Sequence, residues 1–115
     1  MRSILIGATA LLLLGSAAAE PADPTQLAET GAYLLGNAHR CGVADARVEH
    51  AETAIRDLIV VAARDSAEAA TAESRFVQIF SALAAPSQDR DGFPSCKVVI
   101  ARFERLEVYH QEAGY

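Results

Sequence analysis

The sequence predicts an all-α protein, an up-down-up-down four-helix bundle closed by one disulfide. Three observations lead there. Four stretches carry apolar residues at the helical spacing of three and four. Helix-ending or helix-starting signals separate those stretches. The two cysteines, Cys41 and Cys96, fall where a four-helix order brings two helix ends together.

The first stretch reads as a helix from about Thr25 to Cys41. Its expected seam is Leu27, Gly31, Leu34, Ala38 and Cys41. Gly31 and Ala38 are small and admit a close neighbour, and Gly42 is placed to end the helix in a left-handed cap. The second helix is expected over about Ala44 to Ala63, with Val48, Ala51, Ile55, Leu58 or Ile59, and Ala62 inward and Asp45 at the N-cap position. Asp65-Ser66-Ala67-Glu68 reads as a capping box, so a third helix starts there. It places Ala69, Ala72, Phe76, Ile79, Phe80 and Leu83 inward and continues to about Ala85, where Pro86 ends it.

Pro86 to Pro94 is the one long loop. The fourth helix is expected from near Ser95 to about Gln111, with Cys96, Val99, Phe103 and Leu106 as its seam. In this order the first helix ends, and the fourth begins, at the same end of the bundle. A Cys41–Cys96 bridge then needs no rearrangement.

The N-terminal residues set the compartment. Arg2 is followed by the uncharged run Ile4 to Leu14 and by Ala17-Ala18-Ala19 ahead of Glu20. A basic start, a short apolar run and a small-residue end make a secretory signal peptide. The run is too short for a membrane span of about 20 residues. Residues 1–19 are therefore expected to be removed and 20–24 to form a flexible lead-in, with 25–115 as a single helical domain, periplasmic or secreted. In an oxidising compartment two cysteines most often pair. The two are 55 positions apart, and closing a loop of that size stabilises a fold by about 4 kcal/mol on a chain-entropy argument.

Composition excludes several partners. The chain carries 15 acidic against 10 basic residues, a net charge of −5, and loss of Arg2 moves the balance one further. That argues against nucleic acid, which needs a basic face, and against stable association with anionic membrane after cleavage.

No motif points to catalysis. Cys41 follows His39-Arg40, but a catalytic thiol has to be free and partnered by a base. His50 beside Glu49 and Glu52 lacks the second histidine of a zinc helix. No nucleophile elbow or phosphate loop occurs, so no enzyme and no cofactor are expected. Ser87 to Gly92 matches only the first half of a calcium loop, because Val98 stands where the bidentate glutamate belongs. A looser site for a calcium-like hard cation remains an alternative: Asp89 and Asp91 with Asp45 or Glu49, gathered at the disulfide end along with His39 and His50.

Val60 and Val61 on the second helix, and Val98 and Ile100 on the fourth, fall partly off the core stripes. A face that wide calls either for a broad core or for a second surface, a homodimer contact or a protein partner.

Leu27-Ala28, Gly31, Leu34-Leu35-Gly36, Ala38 and Cys41-Gly42, with a lone cysteine ahead of the last helix, form a pattern. It resembles small exported helical proteins of uncharacterised function in alphaproteobacteria. In outline the chain is also similar to the disulfide-bridged periplasmic immunity proteins that block type VI amidase toxins. The stapled bundle, the lack of a catalytic set and the surplus apolar helix surface lead to the expectation of a non-catalytic periplasmic binding or accessory protein that acts through protein contacts; in an interaction of the immunity type Pro86 to Pro94, long and projecting, is the natural contact element.

Overall fold

The computed structural model describes residues 23–84 and 93–113. The expected signal peptide lies outside the described residues, as do Asp89 and Asp91. The described residues form four helices and no strand: α1 Pro24–Arg40, α2 Asp45–Ala62, α3 Ser66–Leu83 and α4 Cys96–Ala113. They pack as a bundle bridged by Cys41–Cys96, whose Cα atoms are 5.4 Å apart.

Each boundary has a local cause. Asp23 caps α1, accepting a bond from the Thr25 N–H at 2.9 Å, and Pro24 fills the first turn, where its missing N–H costs nothing. This helix therefore starts inside the stretch expected as lead-in. At its other end Gly42 takes φ +92°. The Gly42 N–H donates to the His39 carbonyl and the Val43 N–H to the Ala38 carbonyl, the paired bonds of a Schellman cap, and Val43 is buried beneath them.

Asp45 is not the cap of α2. The N-cap is Ala44, which makes no side-chain bond, and the Asp45 carboxylate turns to His39 instead. Asp65 does cap α3, accepting from the Glu68 N–H at 2.8 Å. Glu68 reaches back one residue further than in the usual box, to the Arg64 N–H at 2.7 Å and to the Arg64 guanidinium.

The bundle is organised around α1, which packs on each of the other three helices. The α3 and α4 helices lie on different sides of it and nowhere bring Cα atoms within 8 Å of each other. This explains why the buried stripe of α1 departs from the expected seam. Ala28, Ala32, Leu35 and Ala38 are fully buried, whereas Leu27, Leu34 and Cys41 are only partly covered. A helix enclosed by three partners buries more than one stripe, and small residues let them approach. A Cβ on Gly36 would lie 2.9 Å from the Leu83 Cβ, and one on Gly31 would lie 2.9 Å from the Ile55 Cδ1.

The other seams follow expectation more closely. Val48, Ala51, Ile55 and Ile59 of α2, Ala69, Ala72 and Phe76 of α3, and Val99 and Phe103 of α4 are buried. Phe76 and Phe103 are the largest of the fully buried side chains, and Phe80 stacks on Phe76 with ring centroids 6.0 Å apart. Ile100 and Leu106 pack against the core, half-buried.

The α4 helix does not run alongside α2. Arg47, in the first turn of α2, pairs with Glu107 and lies over the Phe103 ring. Glu107 is three turns, about 16 Å, along α4. The two helices therefore meet with their starts offset and touch over a short stretch.

Candidate functional site

The turn between α1 and α2 and the end of α3 meet at the disulfide end, and His39 ties them together. Its Nδ1 donates to the Ala84 carbonyl at 2.9 Å, closing the end of α3. Its Nε2 lies 3.2 Å from the Asp45 carboxylate at the start of α2, a salt bridge when the ring is protonated. Phe80 meets the ring edge to face at 6.0 Å. Around this group a cleft of about 190 Å3 is lined by His39, Asp45, Val48, Glu49, Glu52 and Phe80.

The structure thus brings His39, Asp45 and Glu49 together, as the helix order predicts. Glu52 joins them, although its carboxylate is paired with Arg56 at 3.1 Å. His50 does not join them: it lies on the α4 side of α2, where its charge acts on Glu107. Among the described residues no group of three or more histidine, cysteine or acidic side chains converges in a way that would hold a metal ion. Asp45 and Glu49 lie one helical turn apart along the cleft, and Asp45 is committed to His39.

On the α4 side of the same end sits a group that sequence reasoning missed. Asn37 and Arg40 are buried polar residues, 0% and 4% exposed. The Asn37 amide nitrogen donates to the Tyr33 carbonyl at 2.8 Å, and its oxygen accepts from the Arg40 Nε at 3.0 Å. The Arg40 guanidinium then donates to the Pro94 carbonyl at 3.1 Å, approaches the Cys96 sulfur and covers the Phe93 ring at 4.9 Å. Arg40 and the disulfide together fix residues 93–96 against α1. A buried charge needs such partners, because isolating it in a low-dielectric interior is costly. The only sequence signal was the i, i+3 spacing of Asn37 and Arg40 on a helix rich in small residues.

Two ion pairs perturb titrations elsewhere on the surface. Glu107 is held below the ordinary carboxylate range, first by its hydrogen bonds from Arg47, against the opposing effect of burial, with the charges of Arg47 and His50 adding. Glu68 is lowered first by the Arg64 backbone N–H and then by the Arg64 side chain. Neither glutamate belongs to the His39 cleft.

The off-stripe residues divide. Ile100 turns to the core, whereas Val60, Val61 and Val98 face outward, Val60 and Val61 being 56% and 82% exposed. Val98, Ala101, Arg105 and Val108, spaced 3, 4 and 3, share the outer face of α4. A depression of about 430 Å3 is a shallow groove between α1 and α3 lined by Thr25, Ala70, Thr71, Ser74, Arg75 and Gln78. Its only ionisable side chain is Arg75, which pairs with Glu29. No helix among the described residues is long and apolar enough to cross a membrane. No protein-family model matches the chain, and neither a curated protein nor a solved structure is similar to it.

Proposed function

We propose that the protein is a non-catalytic accessory protein of the periplasm or cell exterior that acts through contacts with another protein or with a second copy of itself. The observation that supports this reading best is the Val60–Val61 pair. Both valines sit in the last turn of α2 with their side chains largely in solvent. Two adjacent apolar residues on a helix cover an arc of about 100°, and here that arc serves no core. The outer face of α4 separately exposes Val98 and Val108. A contiguous exposed apolar patch, unlike a single exposed residue, marks a contact surface.

The polar groups at the disulfide end support the same reading. His39 has both ring nitrogens engaged, and both cysteines are in the bridge. In an interaction of the immunity type the Pro86 to Pro94 segment is the contact element. Native mass spectrometry of the protein purified from its own periplasm, without chelator, tests the reading. A homodimer or a complex with one other protein is expected, and it should be lost in a Val60→Ser, Val61→Ser double variant. A bare monomer in every preparation, or a complex indifferent to the double variant, would overturn it.

A second reading is binding of a calcium-like hard cation, with Asp89 and Asp91 joining Asp45 and Glu49. The cleft that Asp45 and Glu49 both line is the observation that favours it. The same spectrum decides: a bound ion lost on chelation, and lost again in an Asp89→Asn, Asp91→Asn variant, is the expected result. No ion in the untreated protein removes the reading.

A further inference from the structure

Between α1 and α4 lies a second, more enclosed cleft of about 140 Å3. Leu34, Pro94 and Val99 supply its apolar wall, and Thr30, Tyr33, Asn37 and Arg102 its polar groups. We propose that this cleft binds a small monocarboxylate whose apolar body is the size of one six-membered ring. The proposal stands apart from the Val60–Val61 contact reading and shares only Pro94 with the segment named there as a contact element.

Size sets the class. An enclosed apolar cavity of about 150 Å3 accepts a benzene molecule, so this cleft has room for one ring and little more. Charge sets the sign. The chain carries 15 acidic residues and a net charge of −5, yet among the described residues the cleft wall holds one guanidinium and no acidic side chain. Arg102 makes no ion pair among the described residues. Its planar fork of donors matches a carboxylate in both charge and shape.

The hydrogen-bond inventory agrees. Asn37 is fully buried, and its amide has two N–H donors. One goes to the Tyr33 carbonyl; the second has no acceptor among the described residues. The oxygen is already used by Arg40. Asn37 thus keeps one N–H donor, along with the second lone pair of its oxygen, for a ligand, and the hydroxyls of Thr30 and Tyr33 can donate as well. A wall of donors with one cation suits a ligand rich in acceptors.

The wall is also pre-formed. Pro94 is held by the Arg40 guanidinium on one side and by the Cys96 bridge two residues on. A ligand entering the cleft does not have to order that segment, which spares the entropy that weakens binding to loose sites.

The test is a 1H–15N NMR titration of the oxidised protein with sodium benzoate. Benzyl alcohol serves as the uncharged analogue and sodium chloride as an ionic-strength control. Benzoate is expected to give saturable shifts confined to amides of residues 30–37 and 99–102, and to bind more tightly than benzyl alcohol. Arg102 is exposed, so Arg102→Gln should keep the fold, which circular dichroism checks. It should weaken benzoate about tenfold, the loss expected for one charge-assisted hydrogen bond, and leave benzyl alcohol unchanged. Shifts that fail to saturate or that chloride reproduces, equal affinity for the two probes, or an unaltered benzoate affinity in Arg102→Gln would each overturn the proposal.

Discussion

Adding one methyl group to α1 at Gly36 should cost more than adding the same group at Gly31, although both sit in the same helix and are equally buried. Alanine improves intrinsic helix propensity over glycine by about 1 kcal/mol at either position. The packing cost differs. At Gly36 the new Cβ would meet the Leu83 Cβ at 2.9 Å, the Phe80 carbonyl oxygen at 3.3 Å and the Phe80 Cα at 3.5 Å. Apolar carbons prefer about 3.5–4.0 Å, and these atoms belong to the α3 backbone or are bonded directly to it. They yield only if the whole helix moves, and α3 is the principal partner of α1.

At Gly31 every close atom belongs to the Ile55 side chain: Cδ1 at 2.9 Å, Cγ2 at 3.0 Å and Cγ1 at 3.6 Å. The outer methyl can turn away, although the branched carbon resists. Overpacking a rigid site costs about 1–3 kcal/mol. After the propensity gain, Gly36→Ala should destabilise by about 1 kcal/mol and Gly31→Ala should fall close to zero. In a domain of this size 1 kcal/mol lowers Tm by about 4–8 °C. Urea unfolding monitored by circular dichroism, with equal slopes for all three proteins, measures the difference. A Gly36→Ala protein as stable as the parent, or more stable than Gly31→Ala, would refute the close α1–α3 approach.

Other perturbations have equally defined outcomes. Reducing the Cys41–Cys96 bridge, or replacing both cysteines by serine, should cost about 4 kcal/mol in the same assay, given the 55-residue separation; a loss below about 1 kcal/mol would mean the reduced chain is already constrained. Arg40→Leu should destabilise by about 3 kcal/mol, because it strips the Asn37 oxygen and the Pro94 carbonyl of their donor. Arg40→Lys should recover little, lacking the fork that reaches both; full recovery would show that charge alone matters. Glu107 has a folded pKa below its unfolded one, so its stabilising contribution is present above the unfolded value of about 4.3 and disappears as pH falls through the folded value. Glu107→Gln should remove that part of the acid dependence and leave the profile above pH ~6 parallel to the parent's. The Val60→Ser, Val61→Ser protein should unfold within about 0.5 kcal/mol of the parent, as exposed sites do.

The number and order of the helices were legible because the strongest local signals coincide with real boundaries. Gly42 takes the left-handed turn that ends α1, and Asp65 caps α3. The cysteine positions agreed with the same order, which made the bridge readable before any geometry. The seams of α2, α3 and α4 were legible because each of these helices buries one face. The α1 seam was legible only in part: Gly31 and Ala38 are buried as expected, but Ala28, Ala32 and Leu35 are buried more completely than Leu27, Leu34 and Cys41, because a helix with three partners has no single polar face to mark its outside. The helix starts at Pro24, inside the expected lead-in, because a proline directly after the Asp23 cap is a first-turn residue.

At the disulfide end, the meeting of His39, Asp45 and Glu49 follows from helix order alone. That Asp45 would serve His39 and not the helix cap does not, since both roles use the same carboxylate and only the path of the turn decides. Asn37 and Arg40 were invisible for a related reason: polar residues are normally solvated. Their burial depends on where α4 and residues 93–96 come to rest, which no local pattern in α1 records.

The claim that matters most is that the exposed apolar end of α2 is a protein contact. A photo-crosslinking amino acid at position 61, in protein expressed in its native host, tests it directly, with position 74 on the exposed face of α3 as control. A discrete adduct from position 61, with this chain or with one other protein, and none from position 74, is the predicted result. No adduct from position 61, or the same adducts from both positions, would contradict it.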